Sequence, residues 1–166
     1  MKEWWLDEAA YAGQEHLDAS YVAGYERKAG FDPSDDLDVL RRHGFGSDSI
    51  LLDLGAGTGV FAIAAARYCR QVIAVDVSPA MTAVLRTRIE NLRIDNLTVI
   101  EGGFLSYEHH GEPPGFIFTR NALHHLPDFW KAIALERIGS VLRPGGIPGV
   151  DGKIQNPKIR SADYAD

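Results

Sequence analysis

The chain is predicted to fold as an α/β domain with a doubly wound, mostly parallel sheet, and three observations carry that expectation. Short apolar runs at 50–54, 71–76, 97–101 and 115–119 alternate with helix-length segments at 58–69, 79–94 and 128–141. The first run ends in a glycine turn, Gly55-Ala56-Gly57-Thr58-Gly59, that leads straight into a helix. The second run ends in Asp76, beside that turn, where open α/β sheets bind their ligands.

Taken in order, residues 1–30 read as helical, with Leu17, Tyr21 and Tyr25 at spacings of four, Val22 adjacent and Gly30 as terminator. Pro33 to Asp38 is an acidic loop and helix start, Leu37 to His43 a short helix, and Gly44-Phe45-Gly46 a break. Ile50 to Leu54 is apolar except for Asp53 and suits a strand covered on both faces. Gly55, Gly57 and Gly59 let the chain turn and bring bare backbone to a ligand, and Thr58 is placed to cap the next helix. Val60 to Cys69 is apolar almost all round, as befits a helix pressed on a sheet. Gln71 to Val77 is a second buried strand, and Ser78-Pro79 opens a helix with a cap and a proline in its first position. Strands alternating with helices in this way imply parallel pairing and right-handed crossovers. No internal repeat or low-complexity segment interrupts the pattern. After Gly146, Pro148 removes a ladder donor while Gly149 and Gly152 weaken what is left, so at best a stub of a fifth strand is expected. The resulting division is one domain over 1–166, made of amino-terminal helices (1–46), an α/β core (47–146) and an irregular tail (147–166).

Bulk properties exclude several classes. A net charge of −6 argues against a nucleic-acid partner, since such binding draws on Lys and Arg against phosphates, and Glu90 and Asp95 dilute the basic set Arg86, Arg88 and Arg93. The single Cys69 excludes an intramolecular disulfide and fits a reducing compartment. No apolar run approaches the ~20 residues of a membrane span. The acidic start lacks a signal-peptide core, so the expectation is a cytoplasmic protein with no membrane partner. Glu108-His109-His110 lacks the spacing of metal ligands, and no metal site is expected.

The glycine turn separates three cofactor classes. A phosphate-binding loop needs Lys and then Ser or Thr after its last glycine, where Val60-Phe61 stands. A dinucleotide turn places a glycine at position 60, so an NAD(P)-dependent oxidoreductase is the second-ranked reading. The G-x-G-x-G spacing instead resembles the class I S-adenosylmethionine-dependent methyltransferases. Four further segments agree: Val75 to Met81, Asn96 to Phe104, Phe116 to Leu126 in the form seen in small-molecule methyltransferases, and the turn Leu142-Arg143-Pro144-Gly145-Gly146. Together they cover roughly Asp48 to Gly146. The resemblance implies the Rossmann-like methyltransferase fold without its carboxyl-terminal strands, S-adenosyl-L-methionine as cofactor, and methyl transfer to a small-molecule acceptor. The missing strands also support a third reading, a non-catalytic, truncated methyltransferase-like module.

The resemblance assigns roles residue by residue. Gly55, Ala56, Gly57 and Gly59 form the cofactor turn, and Val77 and Met81 belong to the ribose-side segment. Asp76 accepts from the ribose hydroxyls, against the plainer reading of a strand-end turn. Asp53, costly as a buried carboxylate, accepts from loop amides or from the cofactor's ammonium. Gly103 and Phe104 stand where the family often has an acid bonding the adenine amine, which leaves Phe104 packing and backbone contacts to hold the ring. Asn121 contacts the methionine part or simply forms a turn. His124 and His125 are the candidate acid–base pair, with ordinary packing as the alternative. A direct displacement at a sulfonium needs alignment more than a base. Trp4, Trp5, Tyr11 and Tyr21 form either an aromatic lid or ordinary core and dimer contacts. The absence of an N-P-P-[YF] or D-P-P-[YF] set after the fourth strand, together with the acidic charge, favours a small acceptor over a base or a glutamine amide. An unfinished sheet edge invites a homodimer.

Overall fold

The computed structural model describes residues 5–13, 17, 18, 22, 31–150 and the backbone of 153 and 154. Trp4, Tyr21, Tyr25 and Gly30, and with them most of the expected amino-terminal helices, lie outside the described residues, as does the tail beyond Ile154. Within the amino-terminal part, Glu8–Tyr11 forms one 3-10 turn, capped by Asp7, whose side chain accepts from the Ala9 N–H at 3.2 Å.

Helix α1 (Ser34–Arg42) carries Asp35 and Asp36 in its first turn and Arg41 and Arg42 in its last, charges that complement the helix dipole. Strand β1 (Ile50–Leu54) is buried along its whole length. Helix α2 (Val60–Ala65) is shorter than the expected 58–69 and starts one residue later, with Gly59 rather than Thr58 at the N-cap. Past Ala65 the chain tightens, with Arg67 N–H donating to the Ala64 carbonyl and Tyr68 N–H to the Ala65 carbonyl, and the Asn96 side chain donates to the carbonyls of Ala66 (2.8 Å) and Cys69 (3.0 Å) beyond the helix. Strand β2 (Gln71–Asp76), helix α3 (Pro79–Leu92) and strand β3 (Leu97–Glu101) follow as predicted, and Ser78 caps α3 by accepting from Met81 N–H at 3.2 Å. Strand β4 (Phe116–Thr119), helix α4 (Asp128–Val141) and strand β5 (Ile147–Val150) complete the crossovers, and β6 (Lys153–Ile154) pairs antiparallel with β5.

The sheet order is β3-β2-β1-β4-β5-β6, with the first five strands parallel. The expected stub is therefore a strand in register with all four residues of β4, a correction to the irregular tail over 147–150. Proline is tolerated there for a geometric reason. Ile147 N–H donates toward β4, to the Gly115 carbonyl at 2.9 Å, so the nitrogen of Pro148 faces away from that ladder.

Both faces of the sheet are covered. On one, Leu51, Val72, Ala74, Phe116 and Phe118 pack under α1, α2 and α3 through Leu40, Phe61 and Leu85. On the other, Leu52, Ile73, Val75 and Ile117 lie under α4 and under the segment holding Phe104, Leu105 and Tyr107, with Trp5 and Leu6 added from the amino-terminal part. Trp5 meets Trp130 edge to face at 5.3 Å, which makes it a packing residue, while Tyr11 is exposed. No helix among the described residues is long and apolar enough to cross a membrane.

Candidate functional site

The strand order reverses between β1 and β4, and open sheets split at such a switch point to leave a crevice at their carboxyl ends. A cleft of about 430 Å³ lies there. Its floor is the glycine turn. Gly55 and Ala56 N–H both donate to the Val75 carbonyl, at 2.8 and 3.1 Å, tying the exit of β1 to β2. Gly55 has φ +76°, and a Cβ there would collide with the side chain of Ala122 in the loop after β4, so only glycine fits. Gly57 has φ +56° and donates to Asp76 Oδ2 at 2.7 Å, and nothing lies within 4 Å of where its Cβ would project. Asp76 Oδ1 accepts from Ser78 N–H at 2.8 Å. Asp76 is thus both a turn residue and a carboxylate facing the cleft, and its oxygens can accept more than one hydrogen bond each.

Beneath the turn, Asp53 is buried, and its Oδ2 has no hydrogen-bond partner among the described residues. Burial, with the nearby Asp76 charge adding to it, pushes its carboxyl up to about 8. A group so placed gains from a cationic or donor ligand and is costly without one. Thr119 Oγ1, at the end of β4, is likewise buried and unpartnered among the described residues.

The two ends of the cleft differ. Past β3 its wall is Gly102, Gly103, Phe104 and Glu8, and Glu8 arrives from the amino-terminal turn. Past β4 the wall includes Phe31, Arg120, Asn121 and His125. Arg120 pairs with the buried Asp36 of α1 and stacks over Phe31 at 4.7 Å, joining the helical cap to the cleft mouth. Asn121 adopts φ +54°, so it makes the turn as well as facing the cleft.

Of the residues singled out from sequence, Asp53, Gly55, Ala56, Gly57, Asp76, Val77, Met81, Gly103, Phe104, Asn121 and His125 line this one cleft. Gly59 does not: with φ +81°, its missing Cβ leaves room for Leu85, so it serves the packing of α2 on α3. His124 is exposed and off the cleft wall, with its ring 4.1 Å from that of His125. His109 bonds Tyr107 Oη and the Glu112 carbonyl, and no group of residues fit to hold a metal occurs among the described residues. Glu8, Phe31, Arg88 and Arg120 were not anticipated. Arg120 lies directly after β4, between Thr119 and Asn121, a position that points to the cleft, whereas nothing near Glu8 in the sequence does.

A glycine turn at the switch point, a carboxylate facing it and an unpartnered acid below define a nucleoside-cofactor domain of methyltransferase type, and the orphaned Asp53 oxygen and bare Gly57 fit an ammonium-bearing nucleoside. The chain belongs to the methyltransferase domain family, which matches residues 51–146. The cofactor of the family is S-adenosyl-L-methionine. An uncharacterised methyltransferase of Schizosaccharomyces pombe is 33% identical over 126 residues, covering 74% of this chain and 46% of that protein. Protein-L-isoaspartate O-methyltransferase 2 of Syntrophobacter fumaroxidans is 30% identical over 102 residues, 61% and 38% of the two chains. An N-methyltransferase of Haemonchus contortus, solved with phosphomonomethylethanolamine and S-adenosylhomocysteine, shares the fold at TM-score 0.72 and 23% identity, over 88% of this chain and 35% of that one. The chain thus spans less than half the length of these relatives.

Proposed function

We propose that this chain binds S-adenosyl-L-methionine in the switch-point cleft and transfers its methyl group to a small-molecule acceptor. The observation that carries the reading is the buried, unpartnered Asp53 below a preformed glycine turn faced by Asp76. The cofactor supplies an electrophilic sulfonium methyl, open to direct displacement. The chain's own contribution is placement and exclusion of water. Asp76 and the Gly57 backbone hold the ribose side, while Asp53 faces the ammonium and changes from acid to carboxylate as that charge arrives. His125, on the wall past β4, is the group within the cleft able to take a proton from an acceptor that must lose one; His124 stands outside it. A small acceptor is supported by the net charge of −6 and by the absence of an N-P-P-[YF] or D-P-P-[YF] set after β4. The isoaspartate-specific relative keeps a protein side chain as the second reading. A cytoplasmic location is supported by the single cysteine, Cys69, which leaves no disulfide within the chain.

Calorimetric titration with S-adenosylhomocysteine, alongside NADH, tests the reading. Micromolar binding of the homocysteine compound alone, lost in Asp76→Ala, is expected. Binding of NADH in its place means an oxidoreductase cofactor, and no binding by folded protein means a non-catalytic module.

A further inference from the structure

We infer that the Glu8 carboxylate, carried in by the amino-terminal turn, accepts a hydrogen bond from the exocyclic amine of the cofactor's adenine, in place of the acid absent from the loop after β3; this rests on the cofactor reading above. Glu8 is 7% exposed and lines the cleft beside Gly103 and Phe104. Its Oε2 accepts from both the N–H and the hydroxyl of Ser106, at 2.9 Å each, and Ser106 Oγ in turn accepts from Gly103 N–H at 2.8 Å. Among the described residues, no hydrogen bond reaches Oε1. With Oε2 taken by Ser106, Oε1 is the oxygen left to a ligand in the cleft, and a planar ligand carrying an N–H donor would use it.

Gly103 makes the argument sharper. A Cβ at that position would lie 2.6 Å from the Glu8 carboxyl carbon, so no side chain can stand at 103 while Glu8 is in place. An aspartate at 103 and a glutamate at 8 exclude one another, and this chain has the second arrangement. The acid is also well fixed. Asp7 caps its turn, Trp5 packs on Trp130 of α4, and the Gly102 N–H bonds the Asp76 carbonyl at 3.0 Å, which sets Gly103 next along from the ribose side. Phe104, 9% exposed, supplies an apolar face there.

The test compares S-adenosylhomocysteine with S-inosylhomocysteine, in which a carbonyl replaces the amine, by calorimetry on the full chain. The native protein should prefer the adenine compound by roughly tenfold to a hundredfold, the range of one hydrogen bond to a charged group. Glu8→Gln keeps an acceptor for Ser106 but adds a donor for the inosine carbonyl, and should narrow or reverse the preference with little change in thermal midpoint. Three results overturn the inference: native protein that binds both ligands equally, a preference unchanged in Glu8→Gln, or tighter adenine binding in Glu8→Ala, which would mean that Glu8 occupies the base's space. Because Asp76→Ala abolishes binding of both ligands if the cofactor reading holds, loss of that control, or no binding at all, identifies failure of the broader reading.

Discussion

The two faces of the sheet are covered by different means. The face under α1, α2 and α3 is sealed by helices whose buried side chains are mostly apolar, such as Leu37, Leu40, Phe61 and Leu85, with Asp36 and Thr82 as the polar exceptions. Among the described residues, the opposite face is covered by the helix α4 and completed by an irregular stretch held with specific polar contacts. Arg137 donates to the Phe104 carbonyl at 3.1 Å and to the Tyr107 carbonyl at 2.7 Å, and Glu8 clamps Ser106. The first face is a matter of hydrophobic area, which tolerates any well-packed apolar set. The second depends on individual donors and acceptors, and it is the one that walls the cleft past β3. Function has been placed where packing is least generic.

The contrast can be broken at its strongest point with Leu85→Ala. Leu85 is fully buried on the helical face, and its loss should cost ~3–5 kcal/mol in urea unfolding; a cost below ~1 kcal/mol would mean that this face is not a continuous core. On the other face, Arg137→Met keeps the apolar stem but leaves two carbonyls without their charged donor, for ~1.5–3 kcal/mol. The same variant should speed amide exchange at Ser106 and Tyr107 while leaving β1 and β2 protected, and uniform exchange would refute a separately held strap.

Asp53 sharpens the comparison through pH. Its carboxyl is raised from 3.8 to about 8 in the folded protein, so the native state holds a proton that the unfolded chain has released across that window. Stability should therefore fall as pH rises between those values and level off above about 8. Asp53→Asn should remove that slope, so that its stability relative to the native protein rises steadily between about pH 4 and 8 and is most favourable above about 8. Cofactor binding at neutral pH should release a proton, visible as a dependence of calorimetric heat on buffer ionisation enthalpy. The smallest effect is expected at the solvent-facing pair of Arg70 and Glu112, both about half-exposed or more, where Glu112→Ala should change stability by less than ~1 kcal/mol.

The same contrast explains what could be read in advance. Strands β1 to β4 and helices α3 and α4 announce themselves by burial period and by caps such as Ser78-Pro79, because local chemistry decides them. The length of α2 is not legible in the sequence, since the segment after it is held by distant partners, Asn96 on the Ala66 and Cys69 carbonyls and the Ser49 carbonyl on the Arg70 N–H. Strand β5 is hard to read from sequence because a proline's cost depends on which side its nitrogen faces, and that is known only once the register is known. In the cleft, Asp53, Asp76 and the glycines follow from the turn itself. Glu8 sits in an acidic run indistinguishable from a solvated surface, and His124 is told from His125 only by the 3-10 turn at Leu123–His125, which leaves His125 on the cleft wall and His124 off it.

One contact of the strap has a consequence in time. Glu8 and Ser106 are 98 residues apart, and closing a loop of that length costs about 4 kcal/mol of chain entropy. During synthesis at roughly 5–20 residues per second, the glutamate emerges many seconds before the serine that will hold it. Helices α1 to α3 and the first three strands can assemble in that interval from nearer neighbours. The clamp past β3 waits for Ser106, and the wall past β4, which brings Arg120, Asn121 and His125, follows later still, so a chain interrupted before Ser106 would have its glycine turn in place with both ends of the cleft open.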